Sequence, residues 1–189
     1  MVHEDKEIEL KFPLSDKQFL EIKERLGKET RFVGASNQKD EYFNSPHRNF
    51  LEPEIPIEWL SIRERDGKSV LNYKYWHRDE HGDFTHCDEF ETVLESADQA
   101  RKMFKALDFK SLITVEKKRL IFRRDGIEIA LDDVKDLGYF IEVEAKEGFS
   151  SIDQAKDALF NLCNELGVDL ATRDIKGYPN LIMIKKDLL

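Results

Sequence analysis

Polar and apolar residues alternate along most of this chain, and side chains that alternate with a period of two lie on opposite faces of a β-strand. The alternation predicts strands over 5–12, 31–35, 38–44, 57–66, 69–77, 84–94, 111–124, 126–134 and 138–147. Three stretches switch to a period near 3.6 and predict amphipathic helices. They are 15–27, with Phe19, Ile22 and Leu26 on one side, 96–107, with Ala100, Met103, Phe104 and Leu107, and 151–166, with Ile152, Ala155, Leu159 and Leu162. Ser15 and Ser96 stand where a hydroxyl caps a first turn. The Asp-Gly pairs in Arg65-Asp66-Gly67-Lys68 and Arg124-Asp125-Gly126 predict tight hairpins, so neighbouring strands pair antiparallel. Loops are expected at 45–56, which holds Pro46, Pro53 and Pro56, and at 77–83. No segment reads as a linker, so 1–189 is expected to form a single domain.

The same parity sorts the charges. Glu7, Glu9 and Lys11 share one face of the first strand, and Ile8, Leu10 and Phe12 take the other. Alone, this is what any half-solvated strand looks like. Five further strands repeat it: Ser61, Arg63 and Arg65; Asn72 and Lys74; Glu89 and Glu91; Lys117 and Arg119; Glu142 and Glu144. If the helices cover the apolar faces and the strands curl shut, the charged faces line a closed interior.

Composition narrows the partners. In 189 residues, 40% are hydrophobic and 37% charged, and a chain this long buries roughly 70% of its unfolded surface. The net charge of −9, from 30 Lys and Arg against 39 Asp and Glu, opposes binding to nucleic acid or an anionic membrane over a broad face. Lys117-Lys118-Arg119 with Arg123 and Arg124 is no exception, because alternation sends Lys118 and Arg124 to the opposite side from the other three. The longest apolar runs, such as Leu181-Ile182-Met183-Ile184, fall far short of a membrane span. Two isolated cysteines, Cys87 and Cys163, and no secretory leader pattern fit a reduced, cytoplasmic protein.

Charges of both signs inside a barrel need balancing, since an unpaired buried ion costs several kcal/mol. Glu7, Glu9, Glu89, Glu91, Asp132, Glu142 and Glu144 are hard oxygen ligands suited to Mg²⁺ or Mn²⁺. Lys11, Arg63, Lys74, Lys117 and Arg119 are phosphate binders. A triphosphate, with about four negative charges, matches these convergent cations better than a monophosphate does.

Glu7-Ile8-Glu9-Leu10-Lys11 resembles the N-terminal ExExK strand of the CYTH superfamily, the triphosphate tunnel metalloenzymes. The resemblance continues in order through Asp40-Glu41-Tyr42-Phe43, Leu60-Ser61-Ile62-Arg63, Leu71-Asn72-Tyr73-Lys74, Glu89-Phe90-Glu91 and Lys117-Lys118-Arg119. It ends on Leu131-Asp132-Asp133-Val134 and Leu137-Gly138-Tyr139-Phe140-Ile141-Glu142-Val143-Glu144, and so covers nearly the whole chain. What it implies is an α+β, mainly antiparallel fold: an eight-stranded closed β-barrel with amphipathic helices packed outside. It implies a triphosphate held by Lys11, Arg63, Lys74, Lys117 and Arg119, and metal held or positioned by Glu7, Glu9, Glu89, Glu91, Asp132, Glu142 and Glu144.

The activity implied is nearest to the CyaB-like class IV adenylyl cyclases, which convert ATP to cyclic AMP and pyrophosphate. The alternative is an inorganic (tripolyphosphate) or thiamine triphosphatase releasing orthophosphate, and behind both stands a non-catalytic binder of nucleotide or polyphosphate. No isolated general base is legible, so Asp132 or a tunnel glutamate is the candidate to take the proton. Relatives often pair as homodimers, although no interface is legible here. Two positions depart from the family pattern: Ser61 and Cys87 stand where many relatives carry an arginine.

Other residues invite weaker readings. His77 and His81 are four apart but are expected in a loop, which opposes a shared metal. His86 and Cys87 are adjacent and so face opposite ways on a strand, which opposes a thiol–imidazole pair. Trp59 and Trp76 are expected at the core or barrel mouth, with Trp76 sharing the parity of Lys74. Tyr178, in Gly177-Tyr178-Pro179-Asn180-Leu181, resembles a family segment that closes one tunnel end, with a packing role.

Overall fold

The computed structural model describes residues 6–189. The strands are β1 (Lys6–Glu7), β2 (Glu9–Leu14), β3 (Arg31–Asn44), β4 (Glu58–Arg65), β5 (Lys68–Arg78), β6 (Phe84–Leu94), β7 (Lys110–Arg124), β8 (Ile127–Val134) and β9 (Gly138–Ala145). They form one nine-stranded antiparallel sheet in the order β1-β6-β5-β4-β3-β7-β8-β9-β2. Its two end strands are consecutive pieces of the N-terminal segment. β1 pairs with β6 and β2 pairs with β9, so the sheet comes round on itself as a barrel at Ile8. The Ile8 carbonyl accepts a hydrogen bond from the Ala145 amide, which carries the pairing with β9 across the break.

The expected staves are therefore present with two local differences. The predicted strand over 5–12 is split between two partners, and its residue 5 lies outside the described residues. The segments 31–35 and 38–44 are one continuous β3, with an irregularity between Phe32 and Gly34 that shifts the register against β7. Both Asp-Gly turns close hairpins as expected. Asp66 and Gly67, and Asp125 and Gly126, all have positive φ, as a two-residue type I′ turn requires. At Gly126 a side chain is excluded twice over, because a Cβ there would stand 2.2 Å from the Glu147 carbonyl oxygen. β5 runs on to Arg78, so His77, shared by the strand expected over 69–77 and the loop expected over 77–83, lies in the strand.

Four helices accompany the barrel: α1 (Asp16–Glu29), α2 (Ala97–Ala106), α3 (Ile152–Glu165) and α4 (Tyr178–Lys185). Ser15, Ser96 and Ser151 each accept a hydrogen bond from the backbone three residues on, and at Ser15 the Gln18 side chain returns a contact to complete a capping box. α1 and α3 bring Phe19, Ile22, Leu26, Ala155, Leu159 and Leu162 onto the outward residues of β2, β8 and β9, among them Leu10, Phe12, Ile129, Leu131, Ile141 and Val143. That packing holds the apolar face of the staves outward and turns the charged face in. α2 covers less. Ala97 and Ala100 are buried and Phe104 packs beside Phe43, but Met103 and Leu107 are 62% and 61% exposed, contrary to the expected stripe.

α4 has no counterpart among the predicted elements. It is eight residues long, packs Tyr178 and Ile182 against Val115, Val134 and Phe140, and buries Met183 as well, so its apolar residues form no one-sided stripe. Pro179 sits in its first turn, where a missing amide hydrogen costs nothing. No helix among the described residues is long and apolar enough to cross a membrane.

Candidate functional site

The barrel encloses a cavity of about 860 Å³. Lys11, Arg63, Lys74, Lys117, Arg119, Glu7, Glu9, Glu89, Glu91, Glu142 and Glu144 line it, so the parity of each strand carries its charged residues to one interior. Asp132 is placed differently. It shares the inward face with Arg119 but is fully buried beneath its partners: both its oxygens are engaged by Arg119, at 2.7 and 2.6 Å, and one also accepts from the Tyr178 hydroxyl at 2.8 Å.

The charges fall into three groups. In the first, Lys74 is bonded to Glu7, stands 3.4 Å from Glu89 and is 4.0 Å from Glu9. Glu144 is the direct cross-strand partner of Glu9 and is paired with Lys146. Acid exceeds base here. Burial, reinforced by Glu9, Glu89 and Glu144, pushes the Glu7 carboxyl well above the ordinary range in spite of Lys74. Burial raises Glu144 to about 7, with Lys146 opposing.

In the second group, Arg119 bridges Asp132 and Glu142, the latter at 2.9 Å, and Lys11 reaches Glu142 at 3.1 Å and Glu9 at 3.5 Å. Burial works against the charge on Glu142, but Arg119 and Lys11 outweigh it and hold the carboxyl well below its usual range. Asp132 is held down in the same way, with Arg119 and Lys117 overcoming burial. Lys117 is the exception among the bases. Burial and the neighbouring Arg119 pull its ammonium down to about 8, and its closest carboxylate oxygen, on Asp132, is 3.7 Å away.

In the third group, Arg63 donates to Asp40 at 3.0 Å and to Glu91 at 3.4 Å, while the Asn72 amide donates to both Glu89 and Glu91, at 2.7 and 2.9 Å. Glu91 lies at the open side, with a side chain 45% exposed.

Three contributors go beyond the expected set. Asp40, only 1% exposed, anchors Arg63. It stood in view within Asp40-Glu41-Tyr42-Phe43, and only the register that sets it opposite Arg63 reveals its role. Asn72 ties two carboxylates together. Tyr178 does more than pack: beyond its bond to Asp132, its ring lies 4.4 Å from the Lys11 ammonium and 5.0 Å from that of Lys117. Its segment is fixed to β2 by the Asp174 amide, which donates to the Lys11 carbonyl at 2.8 Å.

Of the two departures from the family pattern, Ser61 is a buried interior residue beside Asn72. Cys87 is fully buried, with its thiol pKa pushed up by burial. His86 points to the other side of β6, so no thiol–imidazole pair forms.

The donor set fits a hard divalent cation. Glu7, Glu9 and Glu89 crowd the Lys74 ammonium, Glu144 adjoins Glu9, and burial, reinforced by the neighbouring carboxylates, raises the pKa values of Glu7 and Glu144. Asp132 and Glu142, by contrast, are already satisfied by Arg119 and Lys11. A cation taken by the first group would release Lys74 for an anion, whose charge would offset that of the cation.

This arrangement carries a stability prediction. A carboxyl whose folded pKa is raised stabilises the fold fully below its unfolded value near 4, and that contribution is lost as pH rises through about 7. In the presence of EDTA, Glu144→Gln is therefore expected to be more stable than the wild type above pH 7, by about 1–3 kcal/mol, and to lose that advantage toward pH 4. Urea denaturation across this range tests it. Equal midpoints at pH 8 would show that Glu144 is not under-compensated.

Comparison with known proteins adds the family. The CYTH domain matches residues 5–178. A relative named "Putative adenylate cyclase MJ0240", from Methanocaldococcus jannaschii, is 34% identical over 177 residues, covering 93% of this chain and 97% of its own. The PH1819 protein from Pyrococcus horikoshii OT3 superposes with a TM-score of 0.81 at 29% identity, over 95% of this chain and 99% of its own. A Hippeastrum protein, HpAC1, described as an adenylyl cyclase candidate with a dominant triphosphatase activity, shares the fold with a TM-score of 0.64 at 18% identity, over 97% of this chain and 96% of its own.

Proposed function

The chain belongs to the CYTH domain family, and from that premise we propose that it is a Mg²⁺- or Mn²⁺-dependent enzyme that converts ATP to cyclic AMP and pyrophosphate within the tunnel. The observation that carries this reading is the separation of charge in one cavity. An acid-rich group, Glu7, Glu9, Glu89 and Glu144, sits beside a base-rich group, Lys11, Lys117 and Arg119. The first suits a metal and the second suits phosphate oxygens. Similarity to the M. jannaschii relative supports the choice of reaction.

A divalent cation held by Glu7, Glu9, Glu89 and Glu144 would supply Lewis-acid charge toward the phosphates and favour ionisation of the attacking hydroxyl. The chain's own groups do the rest. Lys11, Lys117, Arg119 and Lys74 bind and orient the phosphates so that the 3′-hydroxyl meets the α-phosphorus in line with the bond to pyrophosphate. As that bond breaks and the ring closes, charge accumulates on pyrophosphate, and the same cations stabilise it. Tyr178 and Asp132 keep Arg119 and the two lysines in position. With both Asp132 oxygens occupied by Arg119 and Tyr178, the proton falls to a tunnel glutamate.

Hydrolysis of a terminal phosphate would use the same grip with water as the nucleophile. Purified protein incubated with Mg²⁺ or Mn²⁺ and, separately, ATP, tripolyphosphate and thiamine triphosphate distinguishes the two. Cyclic AMP with equimolar pyrophosphate is expected from ATP. Orthophosphate together with the matching diphosphate, and no cyclic AMP from ATP, would replace the cyclase reading with a triphosphatase. Binding without turnover on all three would overturn both.

A further inference from the structure

Outside the tunnel, β5 and β6 carry a second set of metal-ligating side chains. His77 and His86 are direct cross-strand partners, and Asp88 lies two residues beyond His86 on the same face. Lys74, Trp76 and Glu89 line the cavity, so the odd-numbered neighbour His77 and the even-numbered His86 and Asp88 point to the outer surface of the barrel. One ligand atom from each residue lies within 4.8 Å of the other two. We propose that His77, His86 and Asp88 form a site for a borderline divalent transition metal such as Zn²⁺, separate from the tunnel.

The geometry supports two imidazole nitrogens and one carboxylate oxygen on one ion. His77 Nε2 is 2.6 Å from one Asp88 oxygen, and His86 Nε2 is 4.0 Å from the other. The second separation is too long for a hydrogen bond. Two ligands on a tetrahedral zinc stand roughly 3.3 Å apart, and with all three ligand atoms within 4.8 Å of one another, side-chain adjustment brings them into range. The imidazoles are stacked, with centroids 4.5 Å apart and planes 8° from parallel. In the metal-free state His77 Nε2–H donates to Asp88, and a metal would take the place of that proton.

A further feature fits a ligand role. His86 Nδ1 is 3.0 Å from the Thr85 hydroxyl, which also donates to the His77 carbonyl at 3.3 Å, so the second ring nitrogen is held by an outer partner and Nε2 is left for the metal. The set of two histidines and one carboxylate selects zinc, cobalt or nickel over magnesium, whereas the tunnel's all-carboxylate group selects the reverse. His81, four residues from His77, takes no part: it is exposed on the hairpin and contacts Glu80.

The test is calorimetric titration of Zn²⁺ into the full chain, with excess Mg²⁺ present to occupy the tunnel carboxylates. The wild type and Glu9→Gln are expected to bind one Zn²⁺ alike, and His86→Ala and Asp88→Asn to bind it at least about tenfold more weakly. Long-range ¹H–¹⁵N spectra of the wild-type histidines give a second readout that needs no variant. Zn²⁺ should shift the Nε2 signals of His77 and His86 and leave His81 in place. Equal affinity in His86→Ala and wild type, or unmoved His77 and His86 signals at saturating Zn²⁺, would overturn the site.

Discussion

Arg119→Ala is expected to lower the stability of the fold by about 3–5 kcal/mol at pH 7, as removal of one partner from a buried ion pair does. Arg119 is 13% exposed and is the shared counter-ion of two carboxylates, Asp132 at 0% and Glu142 at 9%. Truncation leaves Asp132 with a 3.7 Å contact to Lys117 and the Tyr178 hydroxyl, and Glu142 with Lys11. Neither substitute is bidentate. The pH dependence separates this loss from a simple cavity. In the wild type both carboxyls have depressed folded pKa values, so their stabilising contribution is present above the unfolded values near 4 and is lost as pH falls through the folded ones. The gap between variant and wild type should therefore be widest at neutral pH and shrink below about pH 4. Urea midpoints at pH 7 and pH 4 measure it. A gap independent of pH would assign the loss to packing alone. Arg119→Lys keeps the charge without the planar fork and should fall between the two.

That network also shows which parts of the site strand alternation can reveal. Parity alone groups Glu142 with Glu144 and Lys117 with Arg119, because a strand with one face packed on α1 and α3 has only one place for its charged residues. The pairing across strands is less accessible. Arg119 opposite Asp132 and Asp40 opposite Arg63 are matters of register, set by turns and by the irregularities near Gly34 and Tyr42, and those depend on the whole sheet. The split of the first strand at Ile8 has the same origin. Nothing in Glu7-Ile8-Glu9 announces that its two halves pair with opposite ends of the sheet. α4 escaped for a different reason. A short helix buried on several sides shows neither alternation nor a stripe, so Tyr178 could be placed near a tunnel end but its hydroxyl could not be assigned to Asp132. The outer histidines were separated by a loop boundary. His77 falls on the boundary between the strand expected over 69–77 and the loop expected over 77–83, and β5 settles it by extending to Arg78 and bringing it opposite His86.

Lys117→Ala should have the opposite profile from Arg119→Ala: loss of turnover on the triphosphate substrate by at least about 10²–10³-fold, with the fold retained. The two side chains are neighbours in the same wall, yet they are balanced differently. Arg119 is fully compensated by two carboxylates. Lys117 is buried at 8% exposure, has no carboxylate closer than 3.7 Å and is depressed to about 8 by burial and by Arg119 itself. A base with a lowered folded pKa costs stability while charged, and that cost disappears as pH rises through about 8. Removing the ammonium relieves it. The lost packing of the aliphatic stem works the other way, and the net change in urea midpoint should lie within about 1 kcal/mol of the wild type. What the wild type gains from an under-compensated ammonium is affinity for phosphate oxygens, which supply the missing counter-charge. The wild-type KM should therefore rise as pH passes about 8 in the free enzyme, and this limb should be absent from the residual activity of Lys117→Ala. A variant that kept full turnover would remove Lys117 from the phosphate grip. A variant that lost turnover only by unfolding would place it, with Arg119, among the residues that hold the barrel together.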